Sequence, residues 1–144
     1  AVSLHFANDE DRNKLVPLNV RYPLAMLEES CARYLDAKNR RLSFEWALIH
    51  DTNDRPVDAE QLAAYARPLG AHTTLIPLNP PPGWPTRGSS PDRVRDFADE
   101  LRYLGANVTV RRTRGTEIDA ACGQLRADRV ASPVASPVRR KTPA

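Results

Sequence analysis

At 144 residues, 41% hydrophobic and 27% charged, the chain has the size and balance of one globular domain. No apolar run approaches a membrane span and no charged-then-apolar leader opens it, so the expectation is a soluble, cytoplasmic protein with no membrane partner. The net charge of +3 does not make the fold a polycation: Arg126, Arg129, Arg139, Arg140 and Lys141 against Asp128 put +4 on residues 126–144, leaving −1 on residues 1–125.

The chain opens on Ala1 within AVSLH, which reads as a buried strand, so a portion of a longer protein is expected, with an unpaired strand edge that invites association. FANDEDRN reads as a polar loop, and Leu15-Val16-Pro17-Leu18 is too short and Pro-interrupted for a regular element. From Pro23 a helix is expected, with Leu24, Leu27, Cys31 and Leu35 on one face, ending at Lys38-Asn39-Arg40-Arg41. Leu42–Ile49 alternates as a strand with Leu42, Phe44, Trp46 and Leu48 on one side and Ser43 and Glu45 on the other. A turn-rich His50–Pro56 loop leads to a helix at Ala59–Arg67, which buries Leu62, Ala63 and Ala66. A strand follows at Thr73–Leu78, then the proline loop PPPGWPTRGSS. Ser90-Pro91-Asp92 combines a hydroxyl cap, a proline at the first helical position and a carboxylate at the positive helix end. Val94, Phe97, Ala98, Leu101 and Leu104 give that helix its buried face, and Gly105 closes it. Val108 and Val110 mark a last strand.

The order strand, helix, strand, helix, strand, helix, strand predicts an α/β fold with parallel strands and outer helices, as in an α/β barrel or an open α/β sheet, three αβ units being half a barrel and not a closed one. Residues 126–144, with the repeat SPVASPV, read as a disordered basic tail; residues 1–125 are the expected folded part.

Chemistry concentrates where strands end, because in α/β barrels the loops after the C-terminal strand ends hold the site. Ser3 and His5, the His50–Asp54 loop and Asn79 all fall there. The stretch Asn107–Leu125 adds Arg111, Arg112 and Arg114, a Gly115 break, the carboxylates Glu117 and Asp119 at a helix start, and Cys122 among Ala120, Ala121 and Gly123. The two cysteines, Cys31 and Cys122, give no disulfide framework and no metal spacing, as expected of a reducing compartment. His50 and His72 have no partner at metal spacing and read as structural, so no metal ligand is assigned. Trp46 reads as core; Trp84 in the proline loop reads either as loop packing or as a stacking surface for a base.

Ser3-Leu4-His5, the pattern NDEDRNKLVPLNVRYPL, FEWALI followed by Asn53-Asp54, LIPLNPPPG, and VRRTRG with IDAACGQL together resemble the radical SAM adenine-C2 RNA methyltransferases, over about residues 1–125. The resemblance implies the C-terminal half of a partial (β/α)6 TIM-like barrel, plus a C-terminal strand and a Cys-bearing segment. It implies that Ser3, Leu4, His5 and Asn79 line an S-adenosylmethionine site and that Cys122 is the methyl carrier. In the family, one S-adenosylmethionine methylates the cysteine. A second, cleaved at a reduced 4Fe-4S cluster, gives a radical that activates the S-methyl group for addition to adenine C2 of 23S rRNA or tRNA. A single-electron reductant and a monomeric full-length enzyme are also implied. A nearby arginine lowers a thiol pKa and holds phosphate, so Arg111, Arg112 and Arg114 suit both the carrier cysteine and RNA.

The family's CxxxCxxC cluster motif, its Gly-Glu cofactor contact and its resolving cysteine match nothing in these residues. The chain alone is therefore expected to be inactive. The alternatives are a relative of the same class that methylates adenine C8 of 23S rRNA, and a non-catalytic RNA-binding remnant.

Overall fold

The structure, a computed structural model, describes residues 1–38, 40–80 and 83–111. Strand β1 (Val2–Ser3) is followed by helix α1 (Asp9–Leu15), a 3₁₀ turn (Pro17–Val20), helix α2 (Leu24–Lys38) and strand β2 (Ser43–Leu48). Helix α3 (Pro56–Ala66), strand β3 (His72–Pro77), helix α4 (Pro91–Tyr103) and strand β4 (Asn107–Val110) complete it. The four strands form one parallel sheet in the order β1-β2-β3-β4. Parallel neighbours need a crossover, which the helices supply. The expected α/β alternation is what forms, as an open four-stranded sheet. The expected boundary between residues 125 and 126 lies outside the described residues.

Alternation along the strands divides the sheet. Phe44, Trp46 and Leu48 of β2, with Thr73 and Leu75 of β3, are fully buried. The register places Phe44 beside Val2 and Thr73, and Trp46 beside Leu75. Leu62, Ala63 and Ala66 of α3 and Val94, Phe97 and Leu101 of α4 belong to the same core. Trp46 stacks on Phe97 with ring centroids 6.3 Å apart.

Helix α4 starts as its sequence predicts: the Ser90 hydroxyl accepts from Arg93 N at 3.2 Å, and Gly105, at φ 78°, closes the end. Helix α2 starts one residue after Pro23, whose carbonyl accepts from Leu27 N at 3.1 Å. Cys31 is buried on its core face, as expected.

Helix α1 occupies the segment that reads as a polar loop. Its Asn8 cap accepts from Asp11 N at 2.8 Å, and Asp9, Glu10 and Asp11 fill the first turn, where the helix dipole favours negative charge. Its only buried side chain is Arg12, so it has no apolar stripe for periodicity to detect. Arg12 Nε donates to Leu4 O at 3.0 Å and its Nη1 to Asn19 Oδ1; Asn19 Nδ2 donates to Asp9 Oδ1 at 2.8 Å, which also accepts from Leu24 N at 2.9 Å. This buried polar chain ties α1, the 3₁₀ turn and α2 to the end of β1.

The ends of β1 and β2 are held by Asn53, which is fully buried. Its Nδ2 donates to His5 O at 2.9 Å and to Ala47 O at 2.8 Å, its Oδ1 accepts from Ile49 N at 2.8 Å, and its backbone O accepts from Trp46 Nε1 at 3.1 Å. His5, at φ 62°, sits in the left-handed region that a non-glycine residue enters only when its surroundings enforce it. The His5 ring accepts at Nδ1 from Ala47 N at 3.1 Å.

Asn53→Ala leaves two carbonyls and one N–H without partners in the interior. At about 1–3 kcal/mol per buried group left unsatisfied, the expected loss is about 3 kcal/mol or more, read as a lower urea midpoint. A variant within about 1 kcal/mol of the parent would remove Asn53 from this role. A second expectation concerns pH. Burial, and then the Arg12 guanidinium, hold His5 below its ordinary value of 6.5, against the opposing Glu45 carboxylate. A depressed folded value means the unfolded chain takes up the proton first, so stability present above pH 6.5 is lost as pH falls below it, levelling off below the folded value. Melts between pH 7.5 and 5.5 should therefore show a steeper decline for the parent than for His5→Gln, and equal slopes would contradict it.

Candidate ligand site at the strand ends

The face of the sheet opposite the helices is polar. The register sets Ser3, Glu45, Thr74 and Thr109 in one row across all four strands, and Ser43, His72 and Asn107 in the row below. All seven are half-buried or exposed. His72 Nε2 lies 2.9 Å from Thr109 Oγ1 on this face. Among the described residues no group of three His, Cys, Asp or Glu side chains can hold a metal.

At the C-terminal edge of the sheet this polar face meets the candidate residues. Ser3 ends β1 and is exposed; His5 follows it, half-buried. Asn79, half-buried, follows the end of β3. Two strand spacings separate β1 from β3, roughly 10 Å, a span that a nucleoside-sized ligand covers. Because Nδ1 of His5 accepts from Ala47 N, its neutral ring carries the proton on Nε2, an N–H donor with no partner among the described residues. Glu45 has no ion-pair partner among the described residues. A hydroxyl, an amide, a ring N–H and a carboxylate suit a ligand that combines heteroaromatic, sugar and cationic groups. That donor set fits S-adenosylmethionine, with its adenine, ribose, sulfonium and ammonium.

Leu4 does not share this position. Its side chain is fully buried in the core, its N donates to Glu45 O at 2.9 Å, and its O accepts from both Arg12 Nε and Phe6 N. Alternation along β1 turns Ser3 to the polar face and Leu4 to the helices. Leu4 anchors the strand end that carries Ser3 and His5.

Arg111 is exposed just beyond β4, where its N donates to Leu75 O at 2.8 Å. Arg112, Arg114, Gly115, Glu117, Asp119 and Cys122 lie outside the described residues. The only free cysteine among the described residues is Cys31, whose thiol burial pushes upward, away from the reactive thiolate. The described residues therefore do not fit an iron–sulfur cluster.

Asn53 and Arg12 escaped the sequence reading as supports of the site. Asn53 lies in the strand-end loop after FEWALI, but its partners sit up to 48 residues away. Asp54 beside it is also structural: it accepts from Ser89 Oγ at 2.7 Å, and its backbone O accepts from Arg93 Nε. Arg93 in turn forms a two-pronged pair with Glu100 at 2.9 and 3.0 Å. Trp46 is core, as expected.

Against known proteins the chain is 49% identical over 130 residues to a protein of Acidothermus cellulolyticus named "Probable dual-specificity RNA methyltransferase RlmN", covering 88% of this chain and 30% of that one. It is 48% identical over 127 residues to the "Dual-specificity RNA methyltransferase RlmN" of Pseudomonas entomophila, covering 87% of this chain and 34% of the relative. The crystal structure of a radical SAM methyltransferase from Sphaerobacter thermophilus superposes with a TM-score of 0.79 at 48% identity, over 85% of this chain and 36% of that one. A domain of a pyruvate-formate lyase-activating enzyme from Bacteroides vulgatus, 14% identical with a TM-score of 0.61, shares the fold alone. No protein-family model matches. The chain spans about a third of the length of the curated relatives it matches. By sequence and by fold together, it is related to the dual-specificity RNA methyltransferases of the radical SAM class.

Proposed function

We propose that this chain is the part of a radical SAM RNA methyltransferase that supplies one wall of the S-adenosylmethionine site, the arginine strip that meets RNA, and the methyl-carrying cysteine. The observation that carries the reading is the 48% identity to a radical SAM methyltransferase of the same fold over 85% of the chain. The reaction that the resemblance implies is methylation of adenine C2 in 23S rRNA and tRNA, and the relatives' names give a dual-specificity RNA methyltransferase.

The residues divide the work by chemistry. Ser3, His5 and Asn79 present a hydroxyl, a ring N–H and an amide along the strand-end edge and orient the cofactor, while Glu45 favours its positive charge. Bound S-adenosylmethionine supplies the methyl group and the one-electron chemistry that makes it reactive. Cys122, once its thiol has lost its proton to solvent, would take the methyl group by displacement, its S–C bond forming as the sulfonium S–C bond breaks. Arg111, Arg112 and Arg114 favour that thiolate and hold RNA phosphates. The iron–sulfur cluster and the resolving cysteine would come from outside these residues. No helix among the described residues is long and apolar enough to cross a membrane.

In the longer protein that contains the cluster cysteines, peptide mass spectrometry after turnover should find a methyl group on Cys122. Cys122→Ala should reduce RNA methylation to background. Retained methylation in that variant would remove Cys122 as the carrier.

A further inference from the structure

The loop between β3 and α4 contains an exposed tryptophan that the strand-end site does not use. Trp84 is 62% exposed, whereas Trp46, the other tryptophan of the chain, is fully buried. The loop is pinned at its base. His50 N donates to Arg87 O at 3.0 Å, Ile49 and Gly88 form an antiparallel bridge, and Ser89 Oγ donates to the buried Asp54. Gly88 packs so tightly that a Cβ there would lie 2.1 Å from Leu78 O. Between this loop and the turn after β2 lies an open cleft of about 310 Å³, lined by His50, Asp51, Thr52, Thr86 and Arg87 among others. Arg87 is exposed and has no ion-pair partner among the described residues. From Leu78 to Ser90 the sequence has one cation and no carboxylate.

We propose that Trp84, Arg87 and this cleft form a docking site for a nucleotide of single-stranded RNA, the base stacking on Trp84 and a phosphate meeting Arg87. The site rests on the RNA-methyltransferase reading and extends it. A solvated indole is a stacking surface for any unpaired base, and a neighbouring unpaired guanidinium supplies the phosphate contact. A duplex keeps its bases stacked on each other and does not offer that face. A protein partner is disfavoured by composition: proline, glycine, threonine, serine and arginine surround Trp84, with no second large apolar side chain to build a desolvated centre. The exposed apolar residues Leu18, Val20, Tyr22 and Met26 belong instead to the segment from the 3₁₀ turn to α2. Asp51, whose Oδ2 lies 3.2 Å from His50 Nε2, is the one carboxylate among the residues lining the cleft and opposes the phosphate.

The test uses the 144-residue chain and a short single-stranded adenine-containing RNA, with binding read by anisotropy of labelled RNA. Tryptophan emission is followed with unlabelled RNA. RNA should quench emission, because only Trp84 is accessible. Trp84→Ala should abolish the quenching and weaken binding about tenfold or more without shifting the thermal melt, while Trp84→Phe keeps most of the affinity. Arg87→Ala should lower the slope of log affinity against log salt by about 0.7, and Asp51→Asn should tighten binding. If the parent binds RNA but Trp84→Ala binds equally well and no quenching occurs, the site is overturned while the RNA reading stands. If the parent binds no RNA at low salt, both fail. Self-association seen by sedimentation and abolished by Trp84→Ala would make this a protein surface and overturn the proposal.

Discussion

Asn53 is the constraint on which the rest of the strand-end geometry depends. A carboxamide is the one neutral side chain that offers a peptide's own donor and acceptor, and here it substitutes for a missing piece of backbone at the sheet edge. It takes the carbonyls of His5 and Ala47, accepts from Ile49 N, and through its own carbonyl receives the Trp46 indole. Trp46 in turn packs on Phe97 and Phe6. The core and the edge of the candidate site are therefore one mechanical unit. The unfavourable backbone of His5 is tolerated because the edge over-determines it.

The two faces of the sheet explain why that edge is available. Strands of a parallel sheet are ordinarily apolar on both sides, since helices cover both. Here β2 alternates buried Phe44, Trp46 and Leu48 with Ser43, Glu45 and Ala47, and the row Ser3, Glu45, Thr74 and Thr109 continues the polar character across every strand. A helix layer packed on such a row would bury a carboxylate and three hydroxyls at a cost that few interactions offset. The polar face is thus suited to a ligand or to water.

What was legible in the sequence follows from the range of the interactions. Strands β2 and β3 and helix α4 were readable because their periods, and the Ser90-Pro91-Asp92 start, are local signals. Helix α1 was not, because its buried face is a single arginine serving Leu4 O and Asn19. Its Asn8 cap and three following carboxylates were the signals that could have found it. Leu4 shares its tripeptide with Ser3 and His5, but strand alternation turns its side chain into the core. Asn53 was invisible as a hub because its partners are assembled only by the fold.

The loop from Leu78 to Ser90 joins the two proposed binding events. It carries Asn79 near its start, at the candidate ligand edge, and presents Trp84 and Arg87 beyond it; its far end is tied through Ser89 to Asp54, the residue after the Asn53 clamp. The close approach of Gly88 to Leu78 O shuts the loop at its base, so Asn79 and Trp84 sit on one short closed segment. A base held at Trp84 would bear on the same loop that orients Asn79, and a ligand at Asn79 would reduce the freedom the loop must give up to hold a base. Coupling of that kind needs no moving domain, only a loop held where Gly88 meets Leu78 O and where Ser89 bonds the buried Asp54.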